Sequence, residues 1–498
     1  MDADAVVAGG GFGGLACAIA LARAGKRVVV LEKAPSAGAH SLSGALVPEA
    51  ALGALLTAEE RAKLPEGTPG KRRDYAFLSP GRGWRLPWVP RSMRPAGCRV
   101  HSAGELVRGL AAVAEGMGAE LVFGVAVDGL LREGGRVAGV RCGGEVLRAG
   151  ATVVAEGPCG LLAAELAADG EGAAGRPPQT YALGIKEVVE VPGQEARAGE
   201  TLHTFGFPLG GIYGGGFVYH MDGRRVALGL VAGLDYAGGE TDLRALFRAW
   251  KRHPAIRRHI EGGRVLEYGA RLLPEGGWRA VPPLSAAGAF LAGDAAGLAD
   301  PMSQEGIAPA LESGAAAARA ILEGRDLRAE ELAFAGRLRA GRNYRGAFRR
   351  GLWAGVASAG FSIASGGRLS VGPRDWPADR AATRGKGRDG AAGAEAAESG
   401  GETDLNAAGD LFLADLAPPR EGHIRLRRPE ACAECIARFG APCLHFCPAR
   451  VYEAAEAGKI RIRAENCLHC RTCRDKCPLE NVDWRPPGGG AGPRWKEM

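Results

Sequence analysis

The chain has 498 residues, 46% of them hydrophobic and 24% charged, with a formal net charge of +7. That balance suits a soluble globular chain of two or three domains and excludes disorder throughout, while 79 glycines without a three-residue period exclude collagen. The 63 lysines and arginines are spread along the chain, so nucleic-acid binding has little support, whereas an anionic membrane surface or an acidic protein remains a suitable partner.

The N-terminus, MDADAVVAGGGFGG, carries two aspartates where a secretory signal needs positive charge, and none is expected. Three uncharged stretches, 5–22, 201–221 and 351–367, are interrupted by glycines or too short, so no membrane-spanning helix is expected.

Residues 5–32 read strand, glycine turn, helix, strand. Gly9, Gly11 and Gly14 form GxGxxG within that unit, and Glu32 closes the second strand where a carboxylate can accept from ribose hydroxyls. Gly9 permits the turn, Gly11 lets the backbone approach a pyrophosphate, and Gly14 allows the helix to pack on the strand. Dinucleotide binding follows, and a purely structural glycine turn is the lesser alternative.

VVAEGPCG at 153–160 predicts a strand returning to this nucleotide domain. Far downstream, AGAFLAGDAAGLADP ends a strand at Gly293 and Asp294 before a helix from about Ile307, a second contact for the same dinucleotide or else an ordinary capped turn. The expected divisions are 1–75 and 76–175 for the nucleotide domain, 176–280 for an inserted domain, and 281–366 for the nucleotide domain's return. Residues 367–408, rich in Gly, Ala and alternating charge, predict a solvated linker, and 409–498 form a cysteine-rich domain.

Of twelve cysteines, eight lie between Cys432 and Cys477, which points to metal rather than disulfides. Cys432, Cys435, Cys443 and Cys447 are spaced x2, x7, x3. Cys467, Cys470, Cys473 and Cys477 are spaced x2, x2, x3, and each set ends in Cys-Pro. The second run is the ferredoxin pattern whose fourth cysteine ligates the other cluster. Crossed ligation predicts one [4Fe-4S] cubane on Cys447, Cys467, Cys470 and Cys473, and another on Cys432, Cys435, Cys443 and Cys477. Structural zinc explains the C-x2-C pairs but neither the third cysteine of the second run nor the repeated x3-C-P. Cys17, Cys98, Cys142 and Cys159 read as bystanders.

Several further blocks are specific: GAHSLSGA (38–45), PQTYALGIKE (178–187), IYGGGFVYH (212–220), VALGLVAGLDY (226–236), WKRHPAIRRHIEGG (250–263), YGAR (268–271), CPARVYE and NCLHCRTC. Through them the chain resembles the electron transfer flavoprotein:ubiquinone oxidoreductase family over nearly its whole length. The resemblance implies an α/β fold: a discontinuous FAD-binding Rossmann-like domain, an inserted quinone-binding β-sheet domain and a C-terminal ferredoxin-like domain. It implies FAD as cofactor, electron transfer flavoprotein as donor and membrane quinone as acceptor. No general acid, base or nucleophile is required at its core. Residue by residue it implies quinone contacts at Gly214 and Gly215 and a cluster on Cys447, Cys467, Cys470 and Cys473. It also implies peripheral attachment to a bacterial inner membrane on its cytoplasmic face, or to a mitochondrial inner membrane. The segment 40–61 is the expected contact, with Phe348, Trp353 and Phe361 and the cations Arg349 and Arg350 as further candidates; a core amphipathic helix is the alternative for 40–61.

Two stretches depart from that family. The first cysteine set and Cys477 look closer to a two-cluster Fix-type ferredoxin. GDAAGLADPMSQEGI (293–307) looks closer to the Fix-type flavoprotein or to geranylgeranyl reductases. A fusion serving an electron-bifurcating complex, an isoprenoid reductase and a zinc-stabilised flavin scaffold are the rival readings.

Overall fold

In a computed structural model, the described residues are 2–42, 45–90, 93–168, 175–389, 414–417 and 422–498. Two sheets organise them. The first has five parallel strands in the order Ala289–Leu291, Glu145–Val154, Ala3–Ala8, Val28–Glu32 and Glu120–Phe123, with an antiparallel extension at Gly129–Glu133 and Arg136–Cys142. Val7 stands level with Val153 on one side and Val30 on the other. All three are β-branched, fully buried residues, as expected where helices cover both faces of a parallel sheet.

The helix Phe12–Arg23 leaves the first turn and crosses Ile307–Glu323 at their small residues. A Cβ on Gly314 would lie 2.0 Å from the carbonyl oxygen of Gly13, so the two helices touch backbone to backbone. This contact brings the chain around Gly293 beside the GxGxxG turn although nearly 280 residues separate them in sequence.

The second sheet is antiparallel apart from one pair, and runs Arg264–Pro274, Tyr181–Glu190, Arg225–Gly233, Gly214–His220, Glu200–Gly206, Arg72–Leu78, Gly83–Arg85. Its parallel pair joins Glu200–Gly206 to Arg72–Leu78. The division expected at 75/76 therefore cuts a strand that belongs to the second sheet. Nothing local marks that strand, because its partner lies about 130 residues away.

Two other expectations are corrected. The first half of the supposed linker is packed: Trp376 is buried with its indole N–H donating to the Pro178 carbonyl at 3.0 Å. The Asp379 carboxylate accepts from Thr180 Oγ1 and, at 2.7 Å, from the Tyr181 N–H. One tryptophan and one aspartate, each with a specific socket, outweigh the polar composition around them. The rest of the supposed linker, 390–408, lies outside the described residues.

The second correction concerns 40–61. Val47, Leu52, Leu55 and Leu56 are buried in the nucleotide-domain core, so this segment, which includes the helix Glu49–Leu55, turns its apolar face inward. The apolar exterior lies elsewhere. Trp84 and Trp88 are 49% and 62% exposed, and Trp353 and Phe361, on the helix Leu352–Ala364, are 65% and 56% exposed. Phe77 joins the two groups, with its ring centroid 5.9 Å from Trp84 and 5.6 Å from Trp353. Phe348 instead packs inward against Tyr213 and Tyr344, and Arg349 is paired with Asp235 at 3.0 Å. Among the described residues no helix is long and apolar enough to cross a membrane.

Candidate redox sites

The glycine turn has the shape its residues imply. Gly9 has φ +114°, and a Cβ there would sit 2.3 Å from the Ala155 carbonyl oxygen. A Cβ on Gly14 would lie 2.0 Å from the oxygen of Gly9. Gly11 differs from both: nothing stands within 4 Å of its Cβ position, so the space above it is open. Glu32 accepts from the Gly10 N–H at 2.7 Å and the Ala34 N–H at 2.8 Å. One backbone bond per carboxylate oxygen leaves each with acceptor capacity for a ribose. Across the turn, the Gly293 N–H donates to Ser313 Oγ at 2.9 Å, and Asp294 is half-buried, with desolvation pushing its carboxyl up. These residues fit a dinucleotide: an open glycine, a part-free carboxylate at the strand end and a second loop held against the first.

On the second sheet, the ladder between Glu200–Gly206 and Gly214–His220 ends at the pair Thr204 and Gly216. Gly214 and Gly215 keep a ladder partner only on the other side, at Ala232 and Val231. The glycines are required by packing: Cβ atoms on 214, 215 and 216 would meet the Val231 oxygen at 2.0 Å, the Thr204 oxygen at 2.3 Å and the Trp250 ring at 2.2 Å. The sequence did not single out Tyr213 and Glu275 beside them. Tyr213 Oη donates to Glu275 Oε2 at 2.8 Å, and the Arg345 guanidinium covers the Tyr213 ring at 4.0 Å. Burial pushes the Glu275 carboxyl up to about 7, so this group can hold and release a proton near neutrality.

The cysteine domain repeats itself. Cys443–Phe446 and Thr472–Lys476 are short helices, each broken at the cysteine before a proline. Cys447 has φ −67° and ψ 117°, and Cys477 has φ −65° and ψ 114°. Proline at 448 and 478 bars the helical region to the residue before it, which swings both thiols out of their own runs. Three residues after each cysteine the backbone is left-handed, at Arg450 (φ 48°) and Glu480 (φ 50°). Four residues after, an N–H donates back to sulfur: Val451 to Cys447 at 3.4 Å and Asn481 to Cys477 at 3.3 Å.

The result is two separate cavities. Cys447, Cys467, Cys470 and Cys473 line the inner one, and Cys432, Cys435, Cys443 and Cys477 line the outer one, with Phe446 and Tyr452 bordering both. Burial raises the thiols of Cys435 and Cys447 to about 12, and like neighbours push the same way. Thiols crowded in this manner become thiolates together only with a cation among them. The inner set fits a [4Fe-4S] cubane in number and donor type. Cys98 and Cys142 are half-buried and Cys17 is fully buried, all remote from these cavities.

The inner cavity faces the other two domains. Arg471, held by Asp475 at 2.7 and 3.0 Å, covers the Tyr181 ring at 4.8 Å and abuts Gly160. His469, between two cluster cysteines, lies 6.0 Å from the ring of His40 in the nucleotide domain and 5.1 Å from that of His423. Burial lowers all three histidines, which keeps them neutral. The Tyr268 hydroxyl donates to Pro448 O at 3.0 Å, and Lys476 Nζ donates to Tyr236 O at 2.6 Å. Chain-distant docking of this kind has no local sequence signal.

Three family models match: "FAD binding domain" over 4–48, "ETF-QO, ubiquinone-binding" over 181–273, and "Electron transfer flavoprotein-ubiquinone oxidoreductase, 4Fe-4S" over 417–496. The mitochondrial electron transfer flavoprotein-ubiquinone oxidoreductase of Oryza sativa is 34% identical across 100% of this chain and 93% of its own length. The chain belongs to the electron transfer flavoprotein-ubiquinone oxidoreductase family. The Pseudomonas aeruginosa and human members are 30% and 29% identical, each over 100% of this chain and over 99% and 89% of their own lengths. Among solved structures, a geranylgeranyl bacteriochlorophyll reductase-like protein from Thermoplasma acidophilum matches with TM-score 0.51 at 20% identity, over 65% of this chain and 78% of its own. At that identity the likeness is one of fold. The chain thus has the FAD-binding, ubiquinone-binding and iron-sulfur domains of its family, on an α/β framework.

Proposed function

We propose that this protein takes electrons from reduced electron transfer flavoprotein and passes them to a membrane quinone. The observation that carries the reading is the docking of the inner thiol cavity, through Arg471 and His469, onto both the nucleotide domain and the glycine-bearing sheet. Three redox sites then occupy one body. FAD rests on Gly9, Gly11, Gly14 and Glu32, with Gly293 and Asp294 across the turn, while Cys447, Cys467, Cys470 and Cys473 hold a [4Fe-4S] cluster. When bound, the two groups would supply one-electron exchange and storage of the two electrons that a quinone needs.

The chain's own residues position the acceptor. Gly214 and Gly215, with no ladder partner on one side, present backbone to a quinone carbonyl, and the Tyr213–Glu275 pair next to them holds a proton at Glu275. Peripheral membrane contact is made through exposed apolar side chains, Trp84 and Trp353 about the Phe77 ring foremost, with Arg350 exposed three residues before Trp353. Either a bacterial inner membrane or a mitochondrial inner membrane would serve.

The test is anaerobic turnover of the FAD- and iron-loaded protein with reduced electron transfer flavoprotein and a short-chain ubiquinone. Quinone reduction dependent on that donor is expected. A fully loaded protein that reduces no quinone with it would overturn the reading.

A further inference from the structure

The family model names a 4Fe-4S domain, and the inner four cysteines satisfy one cluster. Four more cysteines remain, and they are gathered: Cys432 and Cys435 from the helix Ala431–Phe439, Cys443 from the next helix, and Cys477 from the far end of the domain, 34 residues on from Cys443. We propose that this outer cavity holds a second [4Fe-4S] cluster, next to the first and separated from it by the side chains of Phe446 and Tyr452.

Three observations support it. The partition is crossed: Cys477 leaves its own C-x2-C-x2-C run for the outer cavity, and Cys447 leaves its run for the inner one. That exchange is what a two-cluster ferredoxin requires and what a pair of independent zinc knuckles does not. The two exchanged cysteines also share backbone angles within 3°, the same left-handed residue three positions on and the same N–H to sulfur bond four positions on. A site with no ligand would have no physical reason to keep so close a copy. Finally, the outer cavity is lined by apolar groups such as Leu426, Pro442, Ile460 and Val482, and its polar neighbour Asn481 points its Nδ2 at Cys432 sulfur, 3.5 Å away. Donors aimed at sulfur in a dry shell tune iron-sulfur clusters.

The inner set touches the flavin and quinone domains through Arg471 and His469, while the outer set lies beyond Phe446 and Tyr452. The second cluster therefore lies across Phe446 and Tyr452 from the first. This rests on the family reading for the inner cluster alone.

The experiment counts iron, acid-labile sulfide and flavin in the full chain purified anaerobically. About eight irons per FAD are expected, the content of two cubanes. Cys435→Ser is expected to reduce this to about four, with flavin and the spectrum of the inner cluster retained, whereas Cys470→Ser removes the inner signal. About four irons in the wild type, unchanged by Cys435→Ser, would overturn the proposal, as would one zinc bound with four irons. Should Cys435→Ser not accumulate, the wild type decides by itself: two cubanes reduced together give an electron paramagnetic resonance spectrum broadened by mutual coupling, and a single cubane does not. None of these readouts needs quinone turnover, so failure of the activity reading leaves them unaffected.

Discussion

Both sheets carry grouped glycines, yet they use them in opposite ways. In the nucleotide sheet the glycines lie on a turn, where Gly9 and Gly14 are filled by the protein's own backbone and Gly11 opens to space. In the second sheet the glycines lie in a strand, and every missing side chain at 214–216 is occupied by a neighbour. On the turn a glycine leaves room, and in the strand Gly214 and Gly215 leave backbone without a ladder partner on one side.

The largest effect expected from this contrast is at Gly9. Alanine there would combine a left-handed φ with a 2.3 Å approach to a backbone oxygen that cannot move away. Destabilisation of about 3 kcal/mol or more, and loss of flavin, should appear in thermal unfolding and in the purified protein's absorbance. Gly11→Leu separates fold from ligand. Nothing of the protein stands in the way, so the apo melting temperature should hold while bound FAD falls at least tenfold. A Gly11→Leu protein that kept its flavin would remove the pyrophosphate from this turn. Gly216→Ala is the counterpart on the strand, where a Cβ 2.2 Å from the Trp250 ring forces that buried indole to shift. A loss of about 1–3 kcal/mol is expected with flavin content unchanged.

How much of this was legible in the sequence follows the same division. The nucleotide turn, its acidic partner and the cysteine runs are local patterns, because the chemistry demands fixed spacing within a few residues. The strand Arg72–Leu78 was not legible, since its parallel partner is distant and its alternation is imperfect. The helix Glu49–Leu55 has apolar spacing that suits a membrane or a core equally, and only the surrounding residues decide between them. Trp376 was hidden by its polar neighbours. Tyr213 and Glu275 are 62 residues apart, and no spacing rule connects them.

That pair sharpens the contrast further. A strand offering only backbone cannot supply protons, and Glu275, pushed up to about 7 by burial, stands one residue from the glycines through Tyr213. Arg345 holds its carboxyl down, while Asp294 and Asp300 hold it up. Quinone reduction should fall as pH rises through about 7, and Glu275→Gln should lower the rate at pH 6 by about tenfold and flatten that profile. The stability sign is separate. A carboxyl whose folded value exceeds its unfolded one contributes most below about pH 4 and loses that contribution as pH rises through about 7, so the variant's melting temperature should depend less on pH across that window. A variant with the wild-type rate profile would leave Glu275 a structural partner of Tyr213.

The smallest effect on stability, and a direct test of the proposed lipid contact, is at the exposed tryptophans beside Phe77. Trp84 and Trp353 are about half and two-thirds exposed, and they make ring contacts with Phe77. Replacing both with serine removes little buried area and should change unfolding free energy by less than about 1 kcal/mol. Transfer of two indoles from water to the bilayer interface, however, is favourable in proportion to apolar area, so binding to anionic vesicles should weaken at least tenfold. Leu52 provides the opposite control. It is buried in the nucleotide core, so Leu52→Ser should cost about 2–5 kcal/mol. Such a variant, if still folded at low temperature, should bind vesicles as the wild type does. Vesicle binding lost with Leu52 and kept without Trp84 and Trp353 would return the membrane contact to the 40–61 segment and require that helix to turn outward on lipid.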